Sequence, residues 1–227
     1  MIQGLIDFTV PLSLAPIQYI SEGLALHYDA LNNTGSGYDP DATIWKDLAG
    51  NNDGVLQNAV WTEKSLQFNG NARVAFAGNI TPAYTIMSVF KRYASLGAHP
   101  RLSAEVPYPS FYLNSNNDYA YAFYGQGKDT FFVPKRIMPT DEYVHAAFRF
   151  SGVIGSPIEF FENGVLVGSI SNVTQLPASV ATAFLGGRSD SVRFLNGEIC
   201  NFMRYSRSLS DEEVYQNYLV DSLKYLN

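Results

Sequence analysis

Glu162-Asn163-Gly164-Val165 joins two alternating runs, and Asn-Gly in that setting is the strongest short-range signal for a tight β-hairpin. The pair constrains the chain because both central residues of such a turn take positive φ, which Asn and Gly tolerate and most residues do not. Similar alternation precedes it. In 143–150, Val144, Ala146, Phe148 and Phe150 fall on one face, and Tyr143, His145, Ala147 and Arg149 on the other. That pattern predicts an antiparallel strand buried on one side only. Further short strands are expected from Leu24 to Tyr28 and at 65–68, 72–76, 84–92, 118–125, 129–133, 157–162, 165–170, 182–187 and 192–205. Turn-rich stretches at 32–43 and 50–54 separate the first of these.

One helix is expected, at the C-terminus. Ser210 is followed three residues later by Glu213, which is a capping box, and Leu209 and Val214 occupy the matching staple positions. Val214, Tyr215, Tyr218, Leu219 and Leu223 then recur on one helical face. Many short strands with a single helix predict an all-β, two-sheet antiparallel jelly-roll sandwich over about 23–209, closed by a helix from about 211.

The 227 residues suit one domain, and only 16% are charged, against roughly 25% in ordinary soluble domains. A net charge of −6 without a basic stripe argues against nucleic acid and against an anionic membrane surface. The lone cysteine, Cys200, excludes an intrachain disulfide and reads as a buried thiol. His27, His99 and His145 lie too far apart for metal-ligand spacing. Residues 1–22 read as a separate extended arm: Asp7, Pro11 and Pro16 break any signal-peptide or helical pattern, while Leu5, Ile6, Phe8, Val10, Leu12, Leu14, Ile17 and Tyr19 make an apolar strip. Such a strip is expected to dock on another subunit or protein, the alternative being that it folds back over its own sandwich.

Three stretches in order resemble the laminin-G-like jelly rolls of the concanavalin A-like lectin/glucanase superfamily. They are Gly23-Leu24-Ala25-Leu26-His27-Tyr28-Asp29-Ala30 with Trp45-Lys46-Asp47-Leu48-Ala49-Gly50-Asn51-Asn52-Asp53-Gly54-Val55-Leu56 and Ser65-Leu66-Gln67-Phe68-Asn69-Gly70, the Asn-Gly hairpin, and Gly197-Glu198-Ile199 through Tyr205-Ser206-Arg207-Ser208-Leu209-Ser210-Asp211-Glu212-Glu213. Arg204 departs from the pattern, standing where the family usually has an apolar residue. The resemblance implies two packed antiparallel sheets in residues 23–227. It does not choose among lectins, glycanases, adhesion modules and phage surface domains.

Candidate chemistry narrows the choice. Retaining glycanases need two carboxyls about 5–5.5 Å apart, which residues two apart on a strand supply, and no such pair occurs. Glu159 and Glu162 are three apart, and Glu212 and Glu213 suit a helix N-terminus. No enzyme activity is expected. Asp47, Asn51, Asn52 and Asp53 offer hard oxygens to calcium, or else satisfy the backbone of their own turn. For a glycan, Tyr119 and Tyr121 with Tyr112 and the loop Asn114, Asn116, Asn117 and Asp118 provide aromatic platforms beside planar polar groups; the rival reading makes those rings core. The expectation is a non-catalytic structural or attachment module, foremost a bacteriophage virion protein of head or tail that contacts other virion or surface proteins through its arm, forms a homo-oligomer and contacts host glycan. The alternatives are a secreted or cell-wall carbohydrate-binding module and, third, a glycoside hydrolase.

Overall fold

The computed structural model describes residues 16–93, 101–105, 108–113, 118–124, 128–137, 139–171, 173–188 and 194–226, with the backbone course alone over most of 101–137. The strands are β1 (Leu24–Asp29), β2 (Ile44–Trp45), β3 (Gly54–Gln57), β4 (Val60–Trp61), β5 (Leu66–Asn69), β6 (Arg73–Gly78), β7 (Tyr84–Arg92), β8 (Arg101–Glu105), β9 (Tyr108–Leu113), β10 (Asp118–Tyr124), β11 (Lys128–Ile137), β12 (Tyr143–Phe150), β13 (Ile158–Glu162), β14 (Val165–Ile170), β15 (Val180–Leu185) and β16 (Asn196–Tyr205). Helix α1 (Asp211–Asp221) follows and runs into a π-helical turn, Ser222–Leu226. One sheet has the order β14-β13-β12-β7-β16-β5-β4, with β1 also paired to β16; the other runs β11-β10-β9-β8-β15-β6-β3-β2. The expected two-sheet sandwich is therefore present. The short strands β2, β3 and β4, and also β8 and β9, were not expected from the sequence.

The main core lies between the sheets. Tyr28 stacks on Trp45 at 5.3 Å and Trp45 meets Trp61 edge-on at 5.1 Å, contacts that add about 0.5–1.5 kcal/mol each beyond area burial. The hairpin turn is as expected, with Asn163 at φ 50° and Gly164 at φ 76°. The capping box is formed in both directions between Ser210 and Glu213, and Leu209 and Val214 are buried in one cluster.

Two expectations need correction. First, β12 is buried on both faces: Val144, Ala146, Phe148 and Phe150 belong to the main core, while His145 and Ala147 on the other face are also fully buried. The reason is that α1, the π-helical turn and residues 19–24 cover this outer face, building a second cluster of Met87, Ala147, Phe161, Met203, Tyr205, Leu209 and Val214. Second, the buried side of α1 is not the all-apolar stripe. It carries Val214, Asn217, Val220 and Asp221, whereas Tyr215 is 47% and Leu223 67% exposed. Asn217 and Asp221 face inward because the layer beneath them is polar. Asn217 accepts from the Ile20 N–H (2.9 Å) and donates to the Tyr205 hydroxyl (3.0 Å).

That layer fastens the chain before Gly23 to the domain. The Tyr19 hydroxyl donates to Asp221 Oδ1 at 2.7 Å, the Tyr205 hydroxyl donates to the Ile20 carbonyl at 2.8 Å, and Gln216 donates to the Gln18 carbonyl at 2.8 Å. Tyr19 thus belongs to its own domain rather than to a docking strip, and Ile17 is partly exposed at 37%. Leu5, Ile6, Phe8, Val10, Leu12 and Leu14 lie outside the described residues.

Candidate functional site

The proposed aromatic platform falls in β9 and β10. Tyr119 stands opposite Leu113, and Tyr121 opposite Phe111 and Phe131. Tyr112 stands opposite Ala120, out of phase with Tyr119 and Tyr121 and so on the other face of the sheet. Register also links Leu185 to Ser103, Ser103 to Phe111 and Phe111 to Tyr121. Leu185 is fully buried in the main core, and the β8–β9 register shifts on both sides of the Ser103–Phe111 pair. Asp118 begins β10, and Asn114, Asn116 and Asn117 lie outside the described residues.

The Asp47–Asp53 loop is occupied by its own backbone. Asp47 Oδ1 accepts from the N–H groups of His27 (3.0 Å) and Ala49 (2.9 Å), and Oδ2 accepts from Asn52 (3.1 Å). Asp53 accepts from the Asp47 N–H (3.0 Å) and from Lys46 Nζ (2.9 Å), while Asn51 is exposed. Among the described residues no group of three or more His, Cys, Asp or Glu side chains is placed to hold a metal.

Two titratable clusters lie on the outer face of β16. Glu198 receives hydrogen bonds from Tyr143, Tyr93 and Ser65 and an ion pair from Lys91 (3.0 Å). Against the burial that would raise it, those bonds pull its carboxyl down to about 2. The Lys91 ammonium lies over the rings of Tyr93 (5.2 Å) and Tyr143 (4.5 Å), and Lys64 lies over Tyr143 (4.7 Å), so these rings are not open platforms. The second cluster is the layer under α1. Burial raises Asp221 to about 7 and lowers His27 and His145 to about 4. Asp221 and His145 are fully buried, so this group is closed to solutes. Burial also raises the Cys200 thiol, leaving it protonated and inert, as expected.

A different geometry appears at one end of the sandwich. Arg204 lies opposite Leu26 on β1 and Ile86 on β7, both in the main core, so its position is on the inner face. It is 6% exposed, and its guanidinium donates to the carbonyl of Asn79, just past the end of β6. No carboxylate pairs with it among the described residues. Arg204 also lines an open pocket of about 250 Å³. The walls are Ala25 and Ile80; Asn79, Thr81, Ser179 and Ser206 line the exposed mouth. The hydroxyls are oriented by local bonds: Thr81 donates to the Ala83 carbonyl, Ser206 to the Gly23 carbonyl, and Ser179 accepts from the Ile80 N–H. Their lone pairs and the Asn79 amide are left for a solute. Four separate segments build the pocket, so only Arg204, an unexpected charge in an apolar strand, signalled it in the sequence.

A larger groove of about 420 Å³ runs between β13–β14 and α1, past exposed Val165, Leu166 and Tyr215. Its acids are committed elsewhere, Asp211 to Arg149 (2.7 Å) and Glu212 to the Ser210 hydroxyl (2.8 Å).

Solved structures share this architecture at low sequence identity. Trypanosoma rangeli sialidase in complex with sialic acid aligns with a TM-score of 0.67 at 15% identity, over 90% of this chain and 34% of that one. The botulinum neurotoxin serotype D binding domain aligns with a TM-score of 0.67 at 12% identity, over 90% and 53%. Domain 4 of AbnA, a GH43 extracellular arabinanase from Geobacillus stearothermophilus, in complex with arabinotriose, aligns with a TM-score of 0.63 at 17% identity, over 86% and 98%. At these identities the likeness shows the fold. The chain spans about a third of the length of the sialidases it matches. No curated protein sequence matches it. The Laminin_G_3 family model, described as the concanavalin A-like lectin/glucanases superfamily, matches residues 69–215. That span includes the Asn-Gly hairpin and the closing strand, and it is well over half the length, so the chain belongs to the laminin-G-like family of the concanavalin A-like lectin/glucanases superfamily.

Proposed function

We propose that the protein is a non-catalytic attachment module that binds glycan in the pocket at the end of the sandwich. The observation that carries this reading is the buried Arg204 guanidinium, bordering a sugar-sized opening rimmed by Asn79, Thr81, Ser179 and Ser206. Sugar sites combine a few fixed polar groups with apolar wall, and this pocket has both. The arabinotriose complex of the AbnA domain supports the reading, because nearly that whole chain is the same sandwich. The absence of catalysis is part of the proposal. It is supported by the occupation of three buried acids: Asp29 is held by Lys224 and Tyr225, Asp47 by three backbone N–H groups, and Glu198 by two tyrosines, a serine and a lysine.

The setting proposed for the module is a phage particle that attaches to a host surface, the reading its opening motif favours. Mass spectrometry of purified particles tests that setting. Glycan-array binding by the full chain tests the function, with Ser206→Trp as the comparison. Ser206 is exposed, so the variant should melt as the wild type does while its indole fills the mouth. Binding that disappears in Ser206→Trp supports the proposal. A bare array, binding that survives the plug, or reducing-sugar release from the glycans overturns it.

A further inference from the structure

We infer that the ligand of this pocket is a sugar that carries a carboxylate; the inference rests on the glycan-binding reading above. A buried charge is ordinarily paired, because an ion moved out of water without a counter-charge is costly. Arg204 breaks that rule among the described residues. It lies on the core face between Leu26 and Ile86, it is almost fully buried, and it is bonded to one backbone carbonyl. By contrast, Arg149 pairs with Glu159 and Asp211, and Arg207 with Glu213.

Among the described residues, the pocket that Arg204 borders contains no acid either. Its lining is Ala25, Asn79, Ile80, Thr81, Ser179 and Ser206. A neutral sugar would leave the guanidinium uncompensated. A carboxylate would receive charge-assisted, fork-shaped hydrogen bonds that arginine geometry favours. The rest of the pocket then discriminates a sugar acid from a simple anion. The mouth offers an amide and three hydroxyls suited to ring hydroxyls, and Ile80 and Ala25 suit an apolar ring face. A volume of about 250 Å³ accommodates one sugar residue rather than a buried chain, so a terminal acidic residue is the expected form. The chain's net charge of −6 gives no general attraction for anions, so the selectivity has to be local.

The experiment uses pairs that differ only in the carboxyl group. Calorimetric or NMR titration of the full chain compares D-galacturonic acid with D-galactose and D-glucuronic acid with D-glucose, and acetate serves as the bare anion. The expected result is at least tenfold tighter binding of one acid than of its neutral partner and of acetate. Arg204→Gln should remove that preference, and Arg204→Lys should keep part of it because the charge stays. Equal binding of acid and neutral sugar overturns the carboxylate inference and leaves the glycan reading intact. Acetate competing as well as the sugar acid also overturns the inference, since the mouth then contributes nothing. If no sugar binds the wild type and no array glycan is found, the glycan reading fails as well. The wild-type comparison decides even if Arg204→Gln does not fold.

Discussion

Replacing Tyr19 with phenylalanine should destabilise the domain through a single hydroxyl. That hydroxyl donates to Asp221 Oδ1 at 2.7 Å and accepts from Asn201 Nδ2 at 3.2 Å, and Asp221 is fully buried. A hydrogen bond to a charged group is worth about 1.5–3 kcal/mol, and a neutral one about 1 kcal/mol. Burial holds Asp221 near 7, so at neutral pH it is part protonated, and losing Tyr19 shifts it further toward the protonated form. The lower end of the range, about 1.5 kcal/mol, is therefore expected. The ring contacts survive in phenylalanine: the edge contact to His27 at 5.1 Å and the Lys224 ammonium at 4.7 Å. For a domain of this size 1 kcal/mol moves Tm by about 2–4 °C, so thermal melts at pH 7 should fall by about 3–6 °C. Ile17→Ala, at a partly exposed position two residues earlier, should stay within about 0.5 kcal/mol of wild type. A Tyr19→Phe melt within 1 °C of wild type, or an Ile17→Ala loss larger than the Tyr19→Phe loss, would refute the argument that this segment is part of the domain.

Asp47→Ala should destabilise the fold by about 2–3 kcal/mol, for the three N–H groups it leaves unmet, whether calcium or chelator is present, and calcium should not change the wild-type melt; a large rise in Tm with calcium contradicts this. Gly164→Ala should cost about 1–3 kcal/mol in urea titration, because Gly164 has φ 76° and a Cβ there would lie 2.8 Å from both Tyr215 and Tyr218; an unchanged midpoint contradicts it. Stability should fall as pH drops from about 6.5 to 4: His27 and His145 stay neutral in the fold down to about 4 while the unfolded chain takes up protons near 6.5. Asp221, protonated in the fold up to about 7, opposes them with one proton against two, leaving about 1.4 kcal/mol per pH unit, and below 4.5 Glu198, held near 2, adds to the loss; urea midpoints that rise on acidification contradict this.

The elements legible in the sequence were those written locally. Asn163-Gly164 fixes a turn by backbone conformation, and Ser210 and Glu213 fix a helix start by mutual hydrogen bonds, so both appeared where expected. Cys200 was legible as core from its residue type. What failed was long-range. The outer face of β12 reads as solvated because His145 and Arg149 are polar, yet residues from both ends of the chain fold over it. Tyr19 reads as a free apolar residue because its partner, Asp221, is 202 positions away. Tyr112 looked equivalent to Tyr119 and Tyr121 until register put it opposite Ala120. The pocket could not be assembled from sequence, because Asn79, Thr81, Ser179 and Ser206 converge only after both sheets close. Arg204 was visible as an anomaly without a cause.

The account stands most directly on where sugar binds. Amide chemical-shift mapping of the isotopically labelled chain, titrated with a glycan that it binds on an array, measures that location. The account predicts that the perturbed amides cluster at 79–81, 179 and 204–206, around the Arg204 guanidinium. Shifts confined to 108–124, with the Arg204 region silent, would return the site to the Tyr119 and Tyr121 strand and contradict the account.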